Sequence, residues 1–243
     1  MIDIIVPVWN LLEKTKLFIK SLEGQDDFNL IIIDNASGED TKVFFSEIGD
    51  IINNVRIITN KENLGYVKAI NQGLEVSRSP FVLFANNDII LSNRLLISLK
   101  EALNKFDVVA PLTNNSGNRK DVRLVSFSQY PTFESINNFA LLLNKSGSNI
   151  EEIDFVYGHC MMVKREVINK IGFLDESFGI GNYDDVDFCK RAKDFGFKIG
   201  LCRNLFVYHF CHSTFNELGL DVNKIILENA ERYKNKWNRE KYL

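Results

Sequence analysis

Apolar runs alternate with amphipathic stretches through the first half of the chain. Ile2 to Val8 reads as a strand, and Leu12 to Leu22 as a helix with Leu17, Phe18 and Leu22 on one side. The pattern continues with a short apolar strand from Leu30 to Asp34, a helix from Asp40 to Ile51, a strand Val55 to Thr59 and a helix Val67 to Ser77. A strand Phe81 to Ala85, a helix Arg94 to Phe106 and a strand Val108 to Pro111 follow. Strands this short and this apolar are buried on both faces, as happens when helices cover both sides of a parallel sheet. The alternation therefore predicts an α/β fold with a mostly parallel central sheet flanked by helices.

The second half is less regular. Asn114 to Lys120 and Lys145 to Asn149 are rich in Asn, Gly, Ser and charge, and mark loops flanking a short helix from Thr132 to Leu143. A strand from Phe155 to Val163, broken near Gly158, leads into a helix Lys164 to Ile171 and then a turn through Gly179 and Gly181. Asp185 to Phe195 is expected to be helical, Lys198 to Cys202 and Leu205 to His209 extended, and Val222 to Trp237 a long terminal helix. No repeat or linker splits the chain. One domain over 1–243 is expected, a first half at 1–112 and a smaller second portion at 113–243 that ends in the helix.

Composition narrows the classes. The 243 residues carry 29 Lys+Arg against 32 Asp+Glu, a formal net charge of -3, and a hydrophobic fraction of 45%. Disordered and collagen-like chains are excluded on that composition, and slight acidity without a basic stripe argues against nucleic acid as a partner. No stretch approaches the ~18 consecutive apolar residues of a membrane span. Met1-Ile2-Asp3 runs straight into the first strand, so no signal peptide is expected and the compartment is read as cytoplasmic. Cys160, Cys189, Cys202 and Cys211 form no Cys-x-x-Cys pair and read as buried thiols. A zinc site from Cys202, His209, Cys211 and His212 is the alternative, at a spacing that fits no standard finger.

Ligands of an open parallel sheet bind at the carboxyl ends of its strands. The first, second and fourth strands end on Pro7-Val8-Trp9-Asn10, Asp34-Asn35-Ala36-Ser37 and Asn86-Asn87-Asp88, so three polar clusters should meet at one edge. Each alone is also ordinary turn chemistry. The turn after the first strand has no glycine and no phosphate loop exists, which excludes a dinucleotide fingerprint and a P-loop NTPase. A phosphate ligand would then be held mainly by a cation. Asp88 is the natural carboxylate for a hard divalent ion, and His209, at the end of a late strand, could be a second ligand that tilts preference toward Mn²⁺ over Mg²⁺. The plain reading of His209 is a satisfied strand-end histidine. Tyr183-Asp184-Asp185-Val186-Asp187 packs three acids into four positions. Asp184 or Asp185 at a helix N-cap is one reading, a general base the other, and the two are compatible.

Six segments in order resemble family 2 glycosyltransferases of the GT-A fold, over nearly the whole chain. These are Ile4 to Asn10, Ile31 to Ser37, and Asn63-Leu64-Gly65-Tyr66 with Asn71-Gln72-Gly73. Asn86-Asn87-Asp88 stands at the place of Asp-x-Asp, Gly172 to Phe178 with Tyr183 to Asp187 at the acceptor-side motif, and Tyr208-His209-Phe210 to Phe215 near the end. The last, with Asn229 and Lys236-Trp237, is similar to a bacterial branch of rhamnosyl and surface-glycan transferases. The resemblance implies that 1–112 binds the nucleotide-sugar and 113–243 the acceptor. It implies that Pro7, Val8, Trp9, Asn10, Asp34, Asn35, Asn63, Gly65, Asn86, Asn87 and Asp88 line the nucleotide-sugar site, with Lys68 close to the diphosphate. Asp88 and His209 would hold a divalent metal, Mn²⁺ or Mg²⁺. Asp185 would be the base and Asp184 its support. Two departures stand out: Asn86 replaces the first acid of Asp-x-Asp, and Asp184 replaces the commoner Glu.

The implied reaction is an inverting, metal-dependent transfer from a UDP or dTDP sugar to a glycan, lipid-linked or protein acceptor in bacterial surface glycan synthesis. A non-catalytic nucleotide-sugar-binding protein on the same fold is the rival reading, motivated by Asn86. A nucleotidyltransferase would need a Gly-rich basic loop where Trp9 and Asn10 stand. The C-terminal stretch mixes Arg232, Lys234, Lys236, Arg239 and Lys241 with Tyr233, Trp237 and Tyr242. It is expected to pack its aromatics on its own domain, with peripheral contact at the inner face of a membrane as the alternative. Oligomeric state and the identity of the sugar have no transferable signature.

Overall fold

The computed structural model describes residues 1–114, 131–145, 147, 149–210, 219 and 221–239. Its centre is a nine-stranded sheet in the order β3-β2-β1-β4-β8-β6-β9-β5, with β7 paired to β9. The strands are β1 (Ile2–Val8), β2 (Phe28–Asp34), β3 (Val55–Thr59), β4 (Phe81–Ala85), β5 (Ile89–Leu91), β6 (Val108–Thr113), β7 (Ile150–Glu152), β8 (Cys160–Lys164) and β9 (Ile199–His209). β1 to β4, β6 and β9 run one way; β5, β7 and β8 run against them. The α/β class with a mostly parallel sheet, expected from the apolar runs, is the class observed.

Helices α1 (Leu12–Ser21), α2 (Glu39–Glu47), α3 (Tyr66–Val76), α4 (Leu95–Ala102), α5 (Phe133–Asn144), α6 (Arg165–Ile171), α7 (Asp184–Asp194) and α8 (Val222–Arg239) flank the sheet. Side chains of a strand alternate between faces, and β1 divides accordingly. Ile2, Ile4, Val6 and Val8 pack with Phe18 and Ile19 of α1 and Leu95, Leu96 and Leu99 of α4. Ile5 joins Val67, Ile70 and Leu74 of α3, Val167 of α6 and Phe188 of α7 on the other side.

Two short strands escaped the sequence pattern. β5 and β7 have three residues each, too few for either period to show. The two extended pieces expected at 198–202 and 205–209 are one strand. Arg203 and Asn204, which look like a break, absorb a register shift where β6 passes from pairing with Cys202 to pairing with Phe206. The strand expected from Phe155 starts only at Cys160, because the Gly158 peptide is bonded to side chains of the cleft instead of to a neighbouring strand.

Gly73 is fixed by packing. A Cβ there would collide with Ile5 Cγ2 and lie 3.1 Å from its Cγ1 and 3.2 Å from its Cβ. In an open helix Gly→Ala gains roughly 0.5 to 1 kcal/mol. Here the clash is with a branched side chain in the central strand, so overpacking at the upper end of ~1 to 3 kcal/mol should prevail. Gly73→Ala is expected to lose about 1 to 2 kcal/mol in a denaturant melt.

The C-terminal helix packs inward. Trp237 Nε1 donates to Asp187 Oδ1 at 3.1 Å, and Tyr233 lies against Tyr183 and the core on the α3 and α7 side. Two of the aromatics expected to pack inward, Tyr233 and Trp237, do so, and Tyr242 lies outside the described residues. No helix among the described residues is long and apolar enough to cross a membrane.

Candidate active site

β1, β2 and β4 are parallel neighbours or near neighbours, so their carboxyl ends open on one edge. After β1, Asn10 takes a left-handed φ of 54°, donates its N–H to Ser37 Oγ at 2.9 Å, and accepts the Gly38 N–H at 2.8 Å. It thereby holds the start of α2; Pro7 and Val8 stay in the strand, paired with Ile33 and Asp34, and Trp9 is half-buried beside them. Asp34 is 1% exposed. Its Oδ1 accepts the Ser37 N–H at 2.9 Å, while Oδ2 is buried without a partner. A buried acceptor left unpaired costs on the order of 1 to 3 kcal/mol, so a donor group of a ligand would relieve it.

The neighbouring residues build the loop itself. Asn35 donates its N–H to the Val8 carbonyl and its Nδ2 to the Gly65 carbonyl, and accepts from Asn60 Nδ2. Asn63 Oδ1 accepts the Gly65 N–H at 2.9 Å in a local turn. Gly65, at φ 83°, passes so close to Ile180 that a Cβ would lie 3.0 Å from its Cα. Lys68 stands exposed on the first turn of α3.

A second group gathers at the end of β4. Asp88 Oδ1 lies 3.2 Å from His209 Nε2, and Asn86 Nδ2 lies 3.4 Å from the same nitrogen. The antiparallel pairing of Ile89 with His209 creates this approach. Asn114 holds His209 from behind, accepting its N–H at 2.7 Å and donating to its carbonyl at 3.0 Å. Asn87 turns away, with Nδ2 on Thr15 Oγ1 of α1 at 2.9 Å.

This cluster suits a divalent cation. It offers one carboxylate and one imidazole nitrogen with the Asn86 amide beside them, and no group of three His, Cys, Asp or Glu converges among the described residues. An ion held so sparingly keeps positions open for ligand oxygens. His159 is not a third ligand: its ring is stacked on His209 at 4.6 Å and 10°, and parallel rings so spaced cannot direct in-plane lone pairs at one ion. Burial and the nearby His209 push the His159 imidazole well below its usual range, keeping it neutral, and its Nε2 is buried without a partner. The zinc alternative gains nothing, since Cys202 is in the apolar core and Cys211 and His212 lie outside the described residues. Residues 115–120 of the polar loop lie outside them as well.

The acid pair opens α7. Tyr183, at φ 68°, is the N-cap without a side-chain bond, so neither Asp184 nor Asp185 caps the helix as expected. Asp185 accepts the Gly158 N–H on Oδ2 at 2.9 Å and the Val186 N–H on Oδ1 at 2.8 Å. Asp184 is 3% exposed; burial and then the charge of Asp185 raise its carboxyl well above the usual range. Tyr66 donates its hydroxyl to the Gly158 carbonyl at 2.9 Å, and burial followed by both acids raises its phenol too. Asp187 is elsewhere, sealed in the protein with Arg191 and Lys236.

Gly158 and His159 thus join the two groups, one bonded to Asp185 and the next stacked on His209. Sequence reading missed His159, Tyr66 and Asn114 as members of the site. A Gly-His pair directly before an apolar strand was the one available sign.

The chain is similar to several known proteins. The hexosyltransferase Agl10 of low-salt glycan biosynthesis in Haloferax volcanii is 26% identical over 216 residues, covering 76% of this chain and 67% of that protein. The mannosyltransferase PcManGT of Pyrobaculum calidifontis, solved with GDP-Man and Mn²⁺, superposes with a TM-score of 0.65 at 15% identity, covering 87% of this chain and 57% of that one. Residues 1–349 of S. aureus TarS, solved with UDP, give a TM-score of 0.61 at 17% identity, covering 85% and 59%. The chain spans about two thirds or less of the length of these proteins. The fold is GT-A, and the pattern of glycosyl transferase family 2 matches residues 3–172, 170 of the 243 positions; the chain belongs to that family.

Proposed function

We propose that this protein is an inverting glycosyltransferase that moves a sugar from a nucleoside-diphosphate donor to an acceptor hydroxyl. The observation that carries the reading is one edge holding a buried Asp34 oxygen with no partner among the described residues, the Asp88–His209 pair, and an acid pair in which Asp185 accepts the Gly158 and Val186 N–H groups while burial and the charge of Asp185 raise the Asp184 carboxyl. Asp34 accepts a hydrogen bond from the base or ribose, with Pro7, Val8, Trp9 and Asn10 forming the wall beside it. Asn35, Asn63 and Gly65 shape that pocket, and Lys68 lies toward the diphosphate. Residues 1–112 form the donor half and 113–243 the acceptor half.

Asp185 takes the proton of the acceptor hydroxyl as its oxygen bonds to the anomeric carbon. The anomeric C–O bond to the diphosphate breaks with inversion, and the nucleoside diphosphate leaves. Asp88 and His209, with Asn86 beside them, hold a divalent cation, Mn²⁺ or Mg²⁺, which when bound offsets the charge of the diphosphate. Asp184 supports the base from beside it, its carboxyl raised well above the usual range by burial and the charge of Asp185. A UDP or dTDP donor, a glycan, lipid-linked or protein acceptor, and a cytoplasmic role in bacterial surface glycan synthesis complete the reading.

The test is thermal unfolding with UDP, dTDP, GDP and CDP, each with Mn²⁺ and again with EDTA. Ligand at ~100 times its dissociation constant adds roughly 2.7 kcal/mol, or about 5 to 10 °C at this size. One nucleotide is expected to give that shift and EDTA to remove it; no shift with any of the four overturns the reading. Asn86 supports a second reading, a nucleotide-sugar-binding protein without turnover, because it leaves a single carboxylate at the cation. Binding without transfer or hydrolysis of any nucleotide sugar would favour it.

A further inference from the structure

The loop that delivers the acid pair is unusual in its backbone. Gly179, Gly181, Asn182 and Tyr183 all have positive φ, at 63°, 124°, 71° and 68°. Asn182 and Tyr183 carry side chains and immediately precede Asp184, in a left-handed conformation that persists only when the surroundings enforce it. The turned backbone brings the carbonyls of Phe178, Gly181 and Asn182 toward one point. Three carbonyl oxygens facing one another repel unless a donor sits among them.

That donor comes from the C-terminal helix. Asn229 of α8, 3% exposed, places Nδ2 at 2.9 Å from the Phe178 carbonyl, 2.9 Å from that of Gly181 and 3.1 Å from that of Asn182. Its Oδ1 is held by Arg232, one turn on. Eight residues beyond Asn229, Trp237 and the adjacent Lys236 bond Asp187 in the first turn of α7, and Lys236 also reaches Asp175 ahead of the loop at 2.7 Å. The helix therefore grips the acid-bearing segment before and after Asp184 and Asp185.

We propose that Asn229 is a positioning residue for the transfer reaction, its amide filling the carbonyl cup of 178–182 so that Asp185 stands against the Gly158 N–H. This inference rests on Asp185 being the base of the proposed reaction. None of the Asn229 bonds reaches the ends of β1, β2 or β4, and the loop it fills meets the donor half where Ile180 packs on Gly65.

Asn229→Asp is nearly isosteric and puts acceptors where the donor was; Leu227→Ala, on an exposed position of the same helix, is the control. Displacement of a reacting group by about 1 Å can cost 10²-fold, so kcat of the Asp variant should fall on the order of 10²-fold. The thermal shift given by the best nucleotide should persist, and the control should match the parent. Amide exchange at Gly158 and Val186 should quicken in the Asp variant while Ile5 in the central strand stays protected. A kcat within threefold of the parent, or a kcat loss with unchanged exchange at Gly158 and Val186, overturns the proposal. If the Asp variant does not fold, Trp237→Phe takes its place. It removes the indole N–H on Asp187 and part of the ring surface under Lys190 and Tyr233, and it should lower kcat severalfold with nucleotide binding intact; full activity there overturns the proposal. A parent chain with no turnover on any donor sinks the reading of Asp185 as a base, and the exchange result then decides the placement of the loop alone.

Discussion

Asp185→Asn should lose on the order of 10² to 10⁴ in turnover while the nucleotide-induced thermal shift survives. The amide keeps an oxygen to accept one of the two backbone N–H bonds now made to Asp185, so the helix start is preserved. What it lacks is basicity. Asp184→Asn is the discriminating partner. Burial and the adjacent charge raise that carboxyl well above the usual range, so an uncharged amide costs less there than at Asp185 and turnover should stay within about tenfold of the parent. Reversal of the two results, with Asp184→Asn inactive and Asp185→Asn active, would exchange their roles.

The same asymmetry has a stability consequence whose sign is opposite to the usual aspartate. Asp184 binds its proton more tightly in the folded chain than in the unfolded one, where its reference value is 3.8. Between that value and the raised folded value, the folded state holds the extra proton, so stability falls as pH rises. Asp184→Asn should therefore be more stable than the parent at neutral pH, and the difference should vanish below pH ~3.8. Urea melts at several pH values measure it.

Much of this architecture was legible because burial on both faces leaves an unmistakable trace. Ile2 to Val8 and Leu30 to Ile33 are apolar at nearly every position, and both became central strands with separate faces in separate clusters. The meeting of three polar strand ends followed from that, since parallel strands must end on the same side. What stayed hidden depended on partners far apart in sequence. β5 exists because His209 pairs with Ile89 across 120 positions. Asn229 looks like one more polar residue in an amphipathic helix until the carbonyls of 178 to 182 are seen around it. Asn87 shows the converse: its neighbours suggested a ligand contact, but the turn after β4 faces it to Thr15 in the core. Adjacent residues on an extended chain point opposite ways, and sequence spacing alone cannot say which way is the cleft.

Asp187→Ala is expected to destabilise the protein by about 3 kcal/mol, lowering the melting temperature by about 6 to 12 °C. The side chain is 0% exposed and receives Arg191 Nε at 2.9 Å, Lys236 Nζ at 2.6 Å and the indole N–H of Trp237 at 3.1 Å. Removing it leaves two cations facing each other at the junction of α7 and α8 without their shared acceptor. Burying one partner of such a network unpaired costs roughly 3 to 5 kcal/mol; Arg191 and Lys236 retain 17% and 30% exposure, and the water they reach argues for the lower end. Asp184, Asp185 and Asp187 are indistinguishable by type and nearly so by position, yet one is buried with its carboxyl raised above the usual range, one accepts two backbone N–H groups in the cleft and one pairs with Arg191 and Lys236. The Asp187 variant should consequently fail first in melting and only secondarily in rate, through the same helix that Asn229 anchors. Near-parental melting together with a large rate loss would instead put Asp187 among the groups that touch substrate.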